Sequence, residues 1–225
     1  EKEQGVYDFS ELDWQFKMAE EAGVKVSLAI GLRQPRWPEC HEPEWAKDQP
    51  LDFWYPKLKG YMAKVIERYG NHPALESYQL ENEFFMSVFG ICPDFSRWRL
   101  EEEYDYVKQL DSDTPVIISR SNNWIGLPLG APRPERFAIS VYKRVWDKTF
   151  TKRYFEYPLP AWFYAGLAGG AEIFTGNDMI IHELQAEAWL PEGMSMKTAS
   201  DEELYKSINP KRLKDRIHYG VATGM

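Results

Sequence analysis

Long apolar runs are missing from this 225-residue sequence. No stretch approaches the roughly 18 residues that a membrane-spanning helix needs, and the mean hydropathy is −0.54. A basic excess is missing as well. Lys and Arg number 27 against 35 Asp and Glu, the formal net charge is −8 and the pI is about 5.2. That balance is the reverse of a nucleic-acid binder's footprint, so neither nucleic acid nor membrane is expected as a partner. Histidine is sparse at four, and cysteine is limited to Cys40 and Cys92. Neither cysteine belongs to a C-x-x-C motif or to a Cys/His spacing suited to zinc. The Cys40-His41 adjacency reads as surface chance. No metal and no cofactor are expected. There is no internal repeat, no low-complexity segment and no linker, so residues 1–225 are read as a single domain. The opening Glu1-Lys2-Glu3-Gln4 is polar and acidic rather than signal-like. A mature secreted chain would also lack a signal, and the compartment stays open.

What is present is apolar and aromatic. Hydrophobic residues make up 44% and aromatics 15%, with nine Trp. The length is enough for one well-buried domain. Flat aromatic rings serve a core, and they also suit a cleft that stacks on sugar faces. Two glutamates stand out against this background. Glu83 follows Tyr78-Gln79-Leu80-Glu81-Asn82, and Glu183 follows Asp178-Met179-Ile180-Ile181-His182. Each closes a short strand-like run, a hundred residues apart. Carboxylates at the exits of buried parallel strands point to a cleft in which an acid and a nucleophile flank a scissile bond.

The intervening pattern alternates. Ser10-Glu11-Leu12-Asp13 reads as a helix N-cap with an acid at the third position. Leu12, Phe16 and Ala19 recur at helical spacing, and Gly23 is a stop signal. Residues 24–30 read as a strand, and a loop rich in Pro and Trp follows to Pro50. Leu58 to Tyr69 is a helix, Leu75 to Leu80 a strand, and Trp98 to Leu110 a helix. Pro115 to Ser119 and Phe137 to Tyr142 are strands. Pro160 to Gly169 is a helix, Met179 to Glu183 the fifth strand, 191–206 a polar stretch, and Asn209 to Thr223 a last helix opening on Pro210. Strands alternating with helices predict an α/β fold with a parallel sheet.

The order of these residues resembles the clan of (β/α)8-barrel retaining glycoside hydrolases, the cellulase-like and β-galactosidase-like group. Residues 7–13 with Ala22 to Val26 look like the clan's second helix and third strand. Asn82-Glu83 looks like its Asn-Glu pair at the end of strand 4. Ser140-Val141-Tyr142 matches its strand 6, and Ile180 to Gln185 looks like its strand 7. The resemblance implies a TIM-barrel fold with Glu83 as acid/base and Glu183 as nucleophile. It also implies a Tyr142 contact to the nucleophile and carboxyls about 5–5.5 Å apart. Counted this way, strands 1, 2 and 8 find no counterpart. The expectation is an incomplete barrel of strands 3 to 7, truncated at both ends.

Each candidate also has a plain structural reading. Glu83 could be a surface residue closing a strand, and Glu183 a loop carboxylate with Glu187 as a rival nucleophile. Asn82 could bond a substrate 2-hydroxyl. Tyr142 is either a donor to the nucleophile or a partly buried rim tyrosine. Arg33, Trp37, Asn123, Trp124 and Trp189 fall in loops after strands, where a barrel builds its site. Of these, Trp189 is the best placed for stacking, and Trp37, Asn123 and Trp124 join the substrate-binding set. Trp14, Trp98 and Trp162 lie on helices and are expected to pack. The function expected is retaining hydrolysis of O-glycosyl bonds in an oligo- or polysaccharide by two glutamates. The alternative is a non-catalytic carbohydrate-binding or structural relative of the fold. Open strand edges and an uncovered interior face would favour a homo-oligomer.

Overall fold

The computed structural model describes residues 1, 3–35, 39–86, 90–121, 130, 132–148 and 150–225. Trp37, Asn123 and Trp124 lie outside the described residues. The fold is α/β, with five parallel strands alternating with helices. The sheet runs in the order β1 (Val26–Ile30), β2 (Leu75–Leu80), β3 (Val116–Ser121), β4 (Arg136–Val141), β7 (Asp178–Leu184). The described residues fall into two compact units, 1–120 with 130–137, and 121 with 138–225.

In the first unit, α1 (Ser10–Ala22), α2 (Leu51–Tyr69) and α3 (Arg97–Leu110) accompany β1 to β3. Gly23 ends α1 in the left-handed conformation at φ 65°, and its N–H reaches back to the Ala19 and Glu20 carbonyls. Ser10 is not the N-cap; Phe9 is, without a side-chain bond. Asp8 takes the Ser10 N–H instead, at 3.0 Å. Helix α2 starts at Leu51, ahead of the Leu58 expected, and carries Pro56 inside. Burial of Trp54 and Tyr55 offsets the hydrogen bond that the proline forfeits.

Register decides the core. β1 and β2 pair in parallel, Leu28 with Tyr78 and Ile30 with Leu80. β2 and β3 pair Tyr78 with Val116. Alternation along the strands then sends Leu28, Ile30, Tyr78, Leu80, Val116 and Ile118 to one face, where Phe16, Met62, Val65, Leu100 and Val107 meet them. Each such side chain contributes about 1.5–3 kcal/mol when fully buried. The opposite positions are mostly small or polar, Ser27, Ser77, Gln79 and Ser119, with Ile117 buried beside Gln79. Ser77 donates to the Ser27 hydroxyl at 2.9 Å.

The second unit holds β4 from Ala138, α4 (Ala161–Thr175), β7, α5 (Asp201–Ser207) and α6 (Pro210–Thr223). It also holds an antiparallel hairpin, β5 (Arg144–Asp147) with β6 (Arg153–Glu156). The sequence reading missed that hairpin, because four-residue strands leave too little alternation to register. It also read 191–206 as one polar stretch. The signal for α5 was there: Ser200 caps Glu203 N–H, the opening of a capping-box pattern. Asn209 caps α6 through Arg212 N–H, with Pro210 in the first turn. Helix α4 runs past the expected Gly169 to Thr175. Trp14, Trp98 and Trp162 are exposed, at 61%, 56% and 73%. The expectation that they pack is therefore corrected: helical periodicity locates a helix face but does not say what covers it.

Cys40 and Cys92 form a disulfide with Cα atoms 5.5 Å apart, across 52 positions of sequence. It joins the loop after β1 to the loop after β2. Closing a loop of that length stabilises by roughly 2–4 kcal/mol. Reduction, or the Cys40→Ser/Cys92→Ser pair, should lower the melting midpoint by roughly 5–15 °C in calorimetry. An unchanged midpoint would show that the cross-link contributes nothing.

Candidate functional site

The first group of site residues lies where β2 ends. Three residues, Glu81, Asn82 and Glu83, turn the chain out of the strand. Glu81 and Glu83 have φ of 52° and 42°, a left-handed backbone that costs non-glycine residues on the order of 1–3 kcal/mol each. Hydrogen bonds from three directions hold it. Glu81 N–H donates to Ile30 O at 2.9 Å and Asn82 N–H to Arg33 O at 3.1 Å. Glu83 N–H donates to Ser119 Oγ at 3.0 Å. Asn82 is buried, and its Oδ1 accepts from Gln79 Nε2 at 2.8 Å. Glu83 is buried at 5% exposure.

Arg33 has no exposed surface. It donates to Asn82 O at 2.8 Å, Glu39 at 2.6 Å and Met86 O at 3.0 Å. It anchors the backbone that carries Asn82 rather than a substrate. A cavity of about 230 Å³ lies nearby between the loop after β1 and α2, lined in part by Trp45, Trp54 and Tyr61. Neither Asn82 nor Glu83 lines it.

The second group sits at the ends of β4 and β7. Tyr142 Oη donates to Glu183 Oε2 at 2.9 Å. Trp189 stands beside Tyr142, with ring centroids 5.3 Å apart and an interplanar angle of 56°. The Trp189 N–H donates to Ser207 Oγ at 3.0 Å. The side chain that organises this corner is Gln185, which sequence reasoning did not single out. It is 1% exposed. Its Oε1 accepts from both Lys143 N–H and Arg144 N–H at 3.0 Å, and its Nε2 donates to Arg144 O at 2.8 Å. Gln185 thereby fastens the chain after β4 to the chain after β7, which places Tyr142 against Glu183. Glu187, the rival nucleophile, is exposed.

His182 precedes Glu183, with 9% side-chain exposure and Nδ1 4.0 Å from Glu183 Oε1. Its Nε2 is 3.2 Å from Ser140 Oγ. Burial lowers its pKa to about 4, so the ring is neutral near pH 7 and forms no ion pair. Among the described residues no group of three or more His, Cys, Asp or Glu is arranged to hold a metal ion.

A histidine whose folded pKa lies below its unfolded value of about 6.5 favours the native state above pH 6.5. That contribution drains as pH falls from 6.5 toward 4, by about 3 kcal/mol in all. His182→Gln should therefore flatten the acid side of the stability curve relative to wild type. Urea melts at several pH values between 4 and 7 measure this. Parallel curves for the two proteins would refute it.

No protein-family profile matches the chain, and no curated protein matches it. Solved structures do. The parts of this fold match (β/α)-barrel glycosidases. One is a GH2 β-galacturonidase from Eisenbergiella tayi, 18% identical, with a TM-score of 0.55 over 92% of this chain and 32% of that one. A GH10 xylanase from Thermobacillus composti is 11% identical, with a TM-score of 0.57 over 96% of this chain and 63% of that one. A β-galactosidase from Halorubrum lacusprofundi is 12% identical, with a TM-score of 0.56 over 98% of this chain and 45% of that one. The chain resembles these proteins in fold, and spans about a third of the length of the first of them.

Proposed function

We propose that this chain carries the catalytic residues of a retaining glycoside hydrolase acting on an oligo- or polysaccharide. The observation that carries the reading is placement. Glu83 and Glu183 stand at the carboxyl ends of β2 and β7, the end where barrel enzymes build their sites. The fold resembles part of the barrel in such glycosidases. Fold alone does not license an activity; the positioned carboxylates are the added argument.

In this reading Glu183 is the nucleophile. Its carboxylate attacks the anomeric carbon as Glu83 protonates the departing glycosidic oxygen, giving a glycosyl ester on Glu183. Glu83 then takes a proton from water, which attacks the anomeric carbon and releases the sugar with its configuration retained. The Tyr142 hydroxyl fixes the Glu183 oxygen that it bonds. Asn82 offers an amide to the 2-hydroxyl, and Trp189 a face for a sugar ring. Trp37, Asn123 and Trp124 complete the proposed substrate set. Retention requires the two carboxyls to approach to about 5–5.5 Å.

Replacing either glutamate tests this. Glu83→Gln and Glu183→Gln should each lower hydrolysis of an aryl glycoside by roughly 10²–10⁴-fold. Azide should rescue Glu183→Ala with an inverted glycosyl azide and Glu83→Ala with a retained one. Rescue at Glu187→Ala instead would reassign the nucleophile. Binding of oligosaccharide by a wild type that never turns it over would favour the carbohydrate-binding alternative.

A further inference from the structure

Around the strand end that leads to the candidate acid, three charged side chains are buried outside the chemistry proposed above. Glu81 is 1% exposed, and Arg99 and Glu103 are fully covered. Ionisable groups are rarely buried without partners, because desolvation costs more than an imperfect pairing returns. Here the pairing is close. Glu81 Oε1 accepts from Leu32 N–H at 2.8 Å and Arg99 Nη1 at 2.9 Å, and Oε2 accepts from Arg33 N–H at 2.7 Å. Arg99 Nη1 also donates to Glu103 Oε1 at 2.5 Å, and Arg99 Nε donates to Asp94 at 3.2 Å. The guanidinium lies over the Phe84 ring, 4.7 Å from its centroid. Phe84 is the residue after Glu83. Arg99 therefore grips the turn on both sides, through Glu81 before it and Phe84 after it.

The space for this clamp is made by a glycine. Gly31 has φ of 109°, and a Cβ there would meet Glu81 Oε1 at 2.6 Å. Glu103 closes the cluster from α3. Burial, and then the negative charge of Glu81, push its carboxyl well above the usual range. With Glu103 shifted toward its neutral form, the Glu81 and Asp94 carboxylates stand against the Arg99 guanidinium.

We propose that Glu81 and Arg99 are positioning residues that hold Asn82 and Glu83 in the left-handed turn at the end of β2 and so set the aim of the acid. This rests on the reading of Glu83 as acid/base. In the first step a misaimed acid slows the departure of leaving groups that need a proton and spares those that do not, while the water attack that follows is common to all. Loss of bulk stability does not discriminate in that way.

The test uses Glu81→Gln, the milder Arg99→Lys, which keeps the charge but loses the fork, and Glu103→Gln as a control. Measured as kcat/KM, which reports the step in which the leaving group departs, hydrolysis of phenyl and alkyl glycosides should fall by roughly 10²-fold in Glu81→Gln, while the 2,4-dinitrophenyl glycoside stays within about threefold of wild type on the same ground. Arg99→Lys should show the same split to a smaller degree, and Glu103→Gln none. A second readout does not depend on turnover. In protein labelled with 13C at glutamate carboxyls, the Glu83 signal, identified by its loss in Glu83→Gln, should shift its titration midpoint in Glu81→Gln and not in Glu103→Gln. Equal losses of kcat/KM for all leaving groups, or an unmoved Glu83 midpoint, would overturn the clamp. Unimpaired hydrolysis of the phenyl glycoside by Glu83→Gln would instead overturn the acid/base reading, and the carboxyl titration would still decide whether Glu81 holds the turn.

Discussion

The carboxylate of Glu81 does in this protein what a further turn of β-ladder would do elsewhere. Past Ile30 and Leu80 the regular pairing of β1 with β2 ends, yet the Leu32 and Arg33 N–H groups still need acceptors. The two oxygens of Glu81 supply them, and Arg99 neutralises the charge this brings inside. Without that carboxylate the loop after β1 and the turn after β2 would each lose their partner. Arg33 would then lose the geometry by which it bonds Asn82 O. The left-handed backbone at Glu81 and Glu83 persists because these contacts over-determine it.

Gln185 repeats the device in the second unit with a neutral group. One amide oxygen accepts two consecutive N–H groups, Lys143 and Arg144, past the end of β4. In both units a buried polar side chain two residues from a candidate catalytic glutamate extends strand pairing by one step. The difference is chemical. A carboxylate requires a buried cation, and Arg99 is there. An amide requires an acceptor, and the Arg144 carbonyl receives its N–H. Parallel strands frayed at their carboxyl ends would otherwise leave the glutamates on mobile loops.

The two faces of the strands in the first unit divide the labour. Leu28, Leu80 and Val116 meet the helices and supply hydrophobic stabilisation. Ser27, Ser77, Gln79 and Ser119 make hydrogen bonds on the other face, and Gln79 and Ser119 reach the turn that carries Asn82 and Glu83. The Cys40–Cys92 bond links the same two loops that Glu81 and Arg33 hold together.

The α/β order, the Gly23 stop, the acidic charge and the placement of Glu83 and Glu183 at strand ends were all legible in the sequence, because each depends on neighbours within a turn or a strand. Periodicity of Leu12, Phe16 and Ala19, or an apolar run ending in a carboxylate, is local information. The partners of buried polar groups are not local. That Glu81 meets Leu32 and Arg33 and that Gln185 meets Lys143 and Arg144 depends on which strands pair and in what register, whereas the contact of Tyr142 with Glu183 was expected from the resemblance. A one-residue shift would send each side chain to the opposite face. Two lone cysteines gave no hint of a bond, since spacing along the chain says nothing of Cα separation in space. Burial was decided at the same level: the ring of Trp14 is exposed and the charge of Arg99 is enclosed. Residue type fixes what burial would cost, and only the packed neighbours determine whether that cost is met.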